Sequence, residues 1–312
     1  MKRILIDTDT GSDDAMAIVM ALRDERVKVE AITTVAGNVD LCYATKNALL
    51  SIDYAGTYAP PVYEGCSHPI VEKSLIRAPM AHGVNGLADM DFGEPKGKVQ
   101  KEHAVDALLR ILRHSEDQAL ELVTLGPLTN IAVAIMRAPE LVKKLRQITI
   151  MGGAFAETGV FTAPIAEFNI KGDVEAANVV CGCGVPLLFA PINACHGEAF
   201  MTGEEVEMLL ATGTERARFC VQSNTLLIEG NKERFGMRGF DPADPVAMAC
   251  ATAPETIGVK ERAFVTFEQE GEITRGMMIF DTKGHYGQEP NAEIVISMDG
   301  PAYKKYCYEK IV

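Results

Sequence analysis

The sequence predicts an α/β protein built on a single open, mostly parallel (mixed) sheet with helices on both faces. Three observations lead there. Short β-type runs alternate with helix-type segments, so the hydrophobic period switches repeatedly along the chain. Hydrophobic residues make up 47% and charged residues 23% of 312 residues, which suits a large packed core and excludes a disordered or collagenous chain. Neither a Gly/Ser- or Pro-rich linker nor a fixed-period repeat divides the sequence, so 1–312 reads as one domain.

The first run, Ile4-Leu5-Ile6, is followed by Asp7-Thr8-Asp9-Thr10-Gly11 and a helix expected over 13–23. A second strand at 29–33 leads to a helix over 41–54, and a helix over 104–114 precedes a strand at 120–123. Helices over 128–136 and 174–180 then alternate with strands at 148–150 and 187–189. Asp, Asn, Thr, Gly or Pro bounds each helix, as end signals require. The polar, helical stretch 202–235 and the Gly-punctuated, strand-like stretch 258–298 suggest late helices beside the sheet and an edge hairpin. In open α/β sheets the ligand site lies outside the carboxyl ends of the strands. Four such ends are small or polar: Asp7 to Gly11, Thr34-Val35-Ala36-Gly37-Asn38, Thr124-Leu125-Gly126 and Met151-Gly152-Gly153. A parallel sheet brings all four to one rim.

Forty-three acidic against 30 basic side chains give a net charge of −13, which argues against a nucleic-acid or anionic-membrane partner. The opening apolar run is too short for a signal peptide, and no segment reaches membrane-spanning length. Eight cysteines without a secretory signal read as reduced thiols of a cytoplasmic protein. Cys181-Gly182-Cys183 lacks a second pair at zinc-ligand spacing and reads as a helix end turning into a strand.

Asp7, Asp9, Asp13 and Asp14 fall within eight residues where a strand end meets a helix start. Like charges ~4 Å apart repel by about 1 kcal/mol in water and about 4 kcal/mol at an effective dielectric constant of 20. A helix N-terminus offsets roughly 0.3 to 1 kcal/mol, and only for Asp13 and Asp14. No lysine or arginine is near in sequence, so a bound hard cation such as Ca²⁺ or Mg²⁺ is the stronger explanation, against a helix cap with solvated loop acids. A strand followed by Asp7-Thr8-Asp9-Thr10 also fits a haloacid-dehalogenase-type phosphatase, in which Asp7 would attack phosphorus beside Mg²⁺. A third possibility is a non-catalytic, metal-dependent nucleoside- or sugar-binding protein.

The run Asp7-Thr8-Asp9-Thr10-Gly11-Ser12-Asp13-Asp14-Ala15 resembles the signature of the nucleoside hydrolases. Further blocks agree in order: Thr34 to Asn38, His82-Gly83, Leu125-Gly126-Pro127-Leu128-Thr129-Asn130, Met151-Gly152-Gly153, Ala166-Glu167-Phe168-Asn169 and Asp244-Pro245. The resemblance, to the inosine-uridine preferring group, implies a Rossmann-type topology and hydrolysis of the N-glycosidic bond of a ribonucleoside to ribose and base. It implies Ca²⁺ held by Asp9, Asp14, the Leu125 carbonyl and Asp244, with Asp9 taking the proton of the attacking water. Asp13, Asn38, Asn169 and Met151 would orient the sugar, with Glu167 and Asn169 reaching its 5′ side. Carboxylates and amide oxygens there would stabilise an oxocarbenium-like ring. On residue type alone, Asn38 and Asn169 are also common turn formers and Met151 also suits a core. Family members are commonly homodimers or homotetramers, so the resemblance also implies a homo-oligomer.

Two positions depart from the family pattern. Where a histidine usually precedes the last metal aspartate and protonates the base, this chain has Ala243; taking Phe240-Asp241-Pro242 as the motif restores none. His82 is then the candidate acid, although a histidine that only closes a loop is the plainer alternative. The chain has no tryptophan to stack a base, which leaves Phe161, Phe235 and Phe240 as a weaker aromatic wall or as core. Gly159-Val160-Phe161 stands where the family offers an asparagine to the ribose 5′-hydroxyl, and burying that hydroxyl unpartnered costs roughly 1 to 3 kcal/mol. Both departures point toward a nucleoside with an altered 5′ group or a base that leaves without protonation, such as the cationic base of nicotinamide riboside.

Overall fold

The computed structural model describes residues 1–72, 74–155 and 164–312. Its eleven strands are β1 (Lys2–Thr8), β2 (Val27–Thr34), β3 (Val62–Glu64), β4 (Glu121–Thr124), β5 (Ile148–Met151), β6 (Leu187–Ala190), β7 (Met201–Thr202), β8 (Gly239–Phe240), β9 (Ile257–Phe267), β10 (Met278–Asp281) and β11 (Ala292–Met298). Nine of them form one sheet in the order β10-β9-β11-β6-β5-β4-β1-β2-β3, while β7 and β8 form a separate antiparallel pair. From β3 to β11 every neighbouring pair is parallel; β9 and β10 then run antiparallel as the expected edge hairpin.

Two buried clusters show why the sheet has helices on both faces. Successive side chains of a strand point to opposite faces. Ile4 and Ile6 accordingly join a core with the helices Ser12–Arg23, Leu41–Ala55, Ala243–Thr252 and Gly300–Ile311. Leu5, between them, joins the opposite core with the helices Ala104–Arg113, Thr129–Arg137 and Val174–Cys181. Such double burial explains why β1, β4, β5 and β6 read as nearly continuous apolar runs.

The expected elements form within a few residues of their predicted bounds, and 202–235 resolves into three helices, Gly203–Ala211, Glu215–Gln222 and Thr225–Phe235. Sequence reading missed β3 and the C-terminal helix Gly300–Ile311. Cys181 ends its helix and Gly182 caps it before β6, as expected, and all eight thiols are free. No described helix is long and apolar enough to cross a membrane.

The chain runs from β1 to β2 and β3 on one side and crosses to β4, β5 and β6 on the other. Strand order therefore reverses between β1 and β4, and a crevice opens at their carboxyl ends. Asp7 lies in register with Thr124 across that junction and with Thr33 on its other flank.

Candidate active site

Asp9 sits just past β1, fully buried, and accepts a 2.6 Å hydrogen bond on Oδ2 from the backbone N–H of Asn38. Its Oδ1 is buried without a hydrogen-bond partner among the described residues. Glycine on each side lets the chain approach this carboxylate: a Cβ on Gly126 would lie 2.7 Å from Oδ1, and one on Gly37 would collide with Oδ2. Burial, reinforced by the neighbouring Asp14 charge, pushes the Asp9 carboxyl well above the usual range.

The helix Ser12–Arg23 begins beneath the same crevice, where Asp14, in the first turn, accepts the Gly11 N–H at 2.9 Å and the missing Cβ of Gly11 leaves room for Asn38 and His82. Asp14 also accepts from Thr8 Oγ1 at 2.5 Å and Asn38 Nδ2 at 3.2 Å, while burial and the Asp13 charge push it up to about 6. Asp244 enters from the start of the helix Ala243–Thr252, where its backbone N–H donates to Asp13 Oδ2 at 3.4 Å. Burial first, then the Asp14 and Asp13 charges, hold the Asp244 carboxyl well above its ordinary value. Carboxylate oxygens of Asp13, Asp14 and Asp244 lie within 4.8 Å of one another. These donors are all neutral, so the crowded negative charge and the orphaned Asp9 oxygen together fit a metal ion held by oxygen ligands.

Above this floor is a cavity of about 830 Å³, to which Asp13, Asn38, Leu125, Met151, Asn169 and Asp244 all contribute. Asn169 ties two strand ends together, those of β4 and β5: its Nδ2 donates to the Leu125 carbonyl at 2.8 Å, to the Met151 carbonyl at 3.3 Å and to Met151 Sδ at 3.1 Å. Glu167, also on the cavity wall, caps the helix Phe168–Gly172 by accepting from the backbone N–H groups of Asn169 and Ile170, and it holds the Gly153 N–H as well. Burial outweighs those hydrogen bonds and pushes Glu167 up to about 7.

His82 closes another wall. Its Nδ1 accepts the Ser12 backbone N–H at 3.3 Å, lies 2.7 Å from Ser12 Oγ, and is 3.9 Å from Asp13 Oδ1. Burial lowers its pKa and the Asp13 charge pulls in the opposite direction, with burial the larger effect. The ring is therefore neutral at pH 7 with its proton on Nε2.

The structure separates wall from core among the aromatic candidates. Phe235 lines the cavity, but Phe240 is fully buried in the core and takes no part; Phe161 lies outside the described residues. Phe168 and Phe200 supply the apolar surface instead. Sequence reading missed His196 and weighed Asp241 only as an alternative motif aspartate; both are on the cavity wall, with Nδ1 and Oδ1 2.9 Å apart. His196 follows the carboxyl end of β6, a rim position that the strand-end rule would have flagged had that fifth end been included.

The phosphatase alternative fails on Asp7. Its carboxyl is fully buried beside the sheet, engaged by Thr33 Oγ1 at 2.5 Å and Asn130 Nδ2 at 2.8 Å, and it does not line the cavity. A nucleophile must reach its substrate.

Known proteins agree with this geometry. A family model described as inosine-uridine preferring nucleoside hydrolase matches residues 4–305. A probable uridine nucleosidase 2 of Arabidopsis thaliana is 32% identical, with 100% of this chain and 98% of that protein aligned. A pyrimidine-specific ribonucleoside hydrolase RihA of Citrobacter koseri is 34% identical over 99% of this chain and 97% of its own length. Among solved structures, the plant nucleoside hydrolase PpNRh1 superposes with a TM-score of 0.91 at 29% identity, covering 99% of this chain and 98% of that one. A purine-preferring ribonucleoside hydrolase from Gardnerella vaginalis gives 0.90 at 27% identity over the same shares, 99% and 98%. Fold, site and matches together define an enzyme that hydrolyses the N-glycosidic bond of ribonucleosides. The chain belongs to the inosine-uridine preferring nucleoside hydrolase family.

Proposed function

We propose that this protein is a calcium-dependent ribonucleoside hydrolase in which Asp9, Asp14, the Leu125 carbonyl and Asp244 hold the ion. The observation that carries the proposal is the buried, unpartnered Oδ1 of Asp9 at the edge of the converging carboxylates. Three carboxylates and a carbonyl are hard oxygen donors, which suit Ca²⁺ and exclude a thiolate- or imidazole-seeking metal. When bound, the ion would make a water easier to deprotonate and hold the sugar's vicinal hydroxyls.

Asp9 takes the proton of the attacking water on Oδ1, since Oδ2 is occupied by the Asn38 N–H. Asp13, Asn38 and Asn169 orient the ribose, and Met151 presents its carbonyl and sulfur at the end of β5 beside Asn169. Developing positive charge on the ribose ring is stabilised by the same carboxylates and amide oxygens. Glu167 holds the wall on the 5′ side, where its carboxyl fixes the turn that carries Asn169. His82, neutral, offers an Nε2–H hydrogen bond to the leaving base. Phe161 adjoins the 5′ side by sequence, and an apolar residue there favours nucleosides with an altered 5′ group.

The relatives' names divide between pyrimidine and purine preference, so the base is set by this chain's own walls. We further propose that 1–312 is one catalytic unit, that it works in the cytoplasm, where its free thiols stay reduced, and that it assembles as a homodimer or homotetramer. A reducing-sugar assay over inosine, adenosine, uridine, cytidine, nicotinamide riboside and a 5′-deoxynucleoside, with calcium or with chelator, tests the activity. Calcium-dependent ribose release that disappears in Asp9→Ala is expected. Release unaffected by chelator, or retained at full rate in Asp9→Ala, overturns the assignment.

A further inference from the structure

This inference rests on the hydrolase reading above. The protonating histidine that the family places before its last metal aspartate is absent here, because that position is Ala243. Ala243 nevertheless lines the cavity, so the space beside it is part of the substrate compartment. Two other cavity residues meet at the same wall. Asp241, two residues before Ala243, places Oδ1 2.9 Å from Nδ1 of His196, which follows the carboxyl end of β6. The His196 side chain is 41% exposed and the Asp241 side chain 23%, so the pair is open to solvent from the cavity. Nε2 of His196 has no hydrogen-bond partner among the described residues. Beneath the pair, the Cys195 thiol donates to the Ile192 carbonyl at 2.8 Å and is thereby occupied.

His82 is arranged differently. Its Nδ1 is hydrogen-bonded to Ser12, with the Asp13 carboxylate 3.9 Å away, whereas Nδ1 of His196 is within 2.9 Å of the Asp241 carboxylate itself. A carboxylate on Nδ1 fixes the ring orientation and leaves Nε2 directed away from it.

We propose that His196, oriented by Asp241, is the general acid that protonates the departing base in this enzyme, in place of the histidine lost at position 243. The C1′–N bond breaks with its electron pair going to the base nitrogen, which takes the proton from Nε2 of the His196 imidazolium. The water oxygen bonds to C1′ and its proton passes to Asp9. After release the enzyme carries one proton more on Asp9 and one fewer on His196, and exchange with solvent restores both. His196 is then a catalytic residue and Asp241 a positioning residue.

The test separates proton delivery from folding by changing the leaving group. Nitrophenolate departs from 4-nitrophenyl β-D-ribofuranoside without an acid, whereas uridine and inosine need one. In His196→Ala, kcat on the nucleosides is expected to fall by about 10²- to 10⁴-fold, the usual contribution of general acid catalysis, and on the nitrophenyl riboside by less than about tenfold. Asp241→Asn, which keeps the shape of the carboxylate, should show the same selectivity with a smaller loss. A loss of similar size on both kinds of substrate overturns the proposal, as does a nucleoside rate within about threefold of the unaltered enzyme. If the unaltered enzyme with calcium cleaves neither kind of riboside, the hydrolase reading itself falls, and this inference with it.

Discussion

At the scale of single residues, the site depends on how tightly backbone surrounds Asp9. Gly126 and Gly37 leave no room for a methyl group, so Gly126→Ala should displace the carboxylate and lower kcat at least about tenfold while the fold survives, measured as ribose release beside a melting curve. Asp9→Ala should lower kcat by about 10²- to 10⁴-fold, in the range for loss of a positioned base. Buried carboxyls also set a pH dependence. Asp14 is raised to about 6, and Asp7 and Glu167 to about 7, so the folded chain holds protons that the unfolded chain releases near pH 4. More protons bound to the folded than to the unfolded state means that stability falls as pH rises. Chelator-treated protein should therefore melt lower at pH 8 than at pH 5, and added calcium should narrow the difference. A flat or opposite profile would remove these groups as the cause. Asp9, Asp13 and Asp14 of the acidic floor were legible because they crowd together in sequence, and Asp244 only through the family resemblance; the His196–Asp241 pair was not legible, because 45 positions separate two groups that meet only in the folded chain.

At the scale of elements, Glu167 is more informative as a cap than as a charged group. It begins a helix of five residues that aims Asn169 at the ends of β4 and β5. Glu167→Ala removes that cap, at a cost of about 0.5–2 kcal/mol, and leaves Asn169 less well held. The expected result is a raised KM for nucleosides with a modest drop in melting temperature, read from steady-state kinetics and calorimetry; Glu167→Gln should restore most of the stability. The helix Ser12–Arg23 and the strands flanking it were predictable because apolar runs, Gly11 and first-turn acids all agree. β3, with three residues, has too few side chains to show a period. The helix Gly300–Ile311 was missed because its mixture of Lys, Tyr and Cys forms a weak pattern that only packing against the core resolves. Phe240 was left open between wall and core for a related reason: its chemistry suits both equally, and pairing of β8 with β7 decides for the core.

At the scale of the molecule, the parallel sheet was readable from alternation alone, but the strand order was not, since no local signal says that the chain crosses back from β3 to β4. That crossing creates the crevice. Calcium bound only by the folded protein should stabilise it by about 2.7 kcal/mol at a hundred times its Kd, seen as a concentration-dependent rise in melting temperature. No rise across the range that supports turnover would separate the ion from the fold.

The contact between Asp13 and Asp244 spans 231 positions, and Asn224 reaches back to the Ser12 carbonyl across 212. One side of the acid cluster near the amino end, that of Asp244, thus arrives only with the last third of the chain. During synthesis from the amino end, strands β1 to β6 emerge before residue 244, and the first helix begins with its carboxylates still unclosed. The crevice is thus closed by parts far apart in the chain, and it stays open on the Asp244 side until the helix Ala243–Thr252 docks against the first helix.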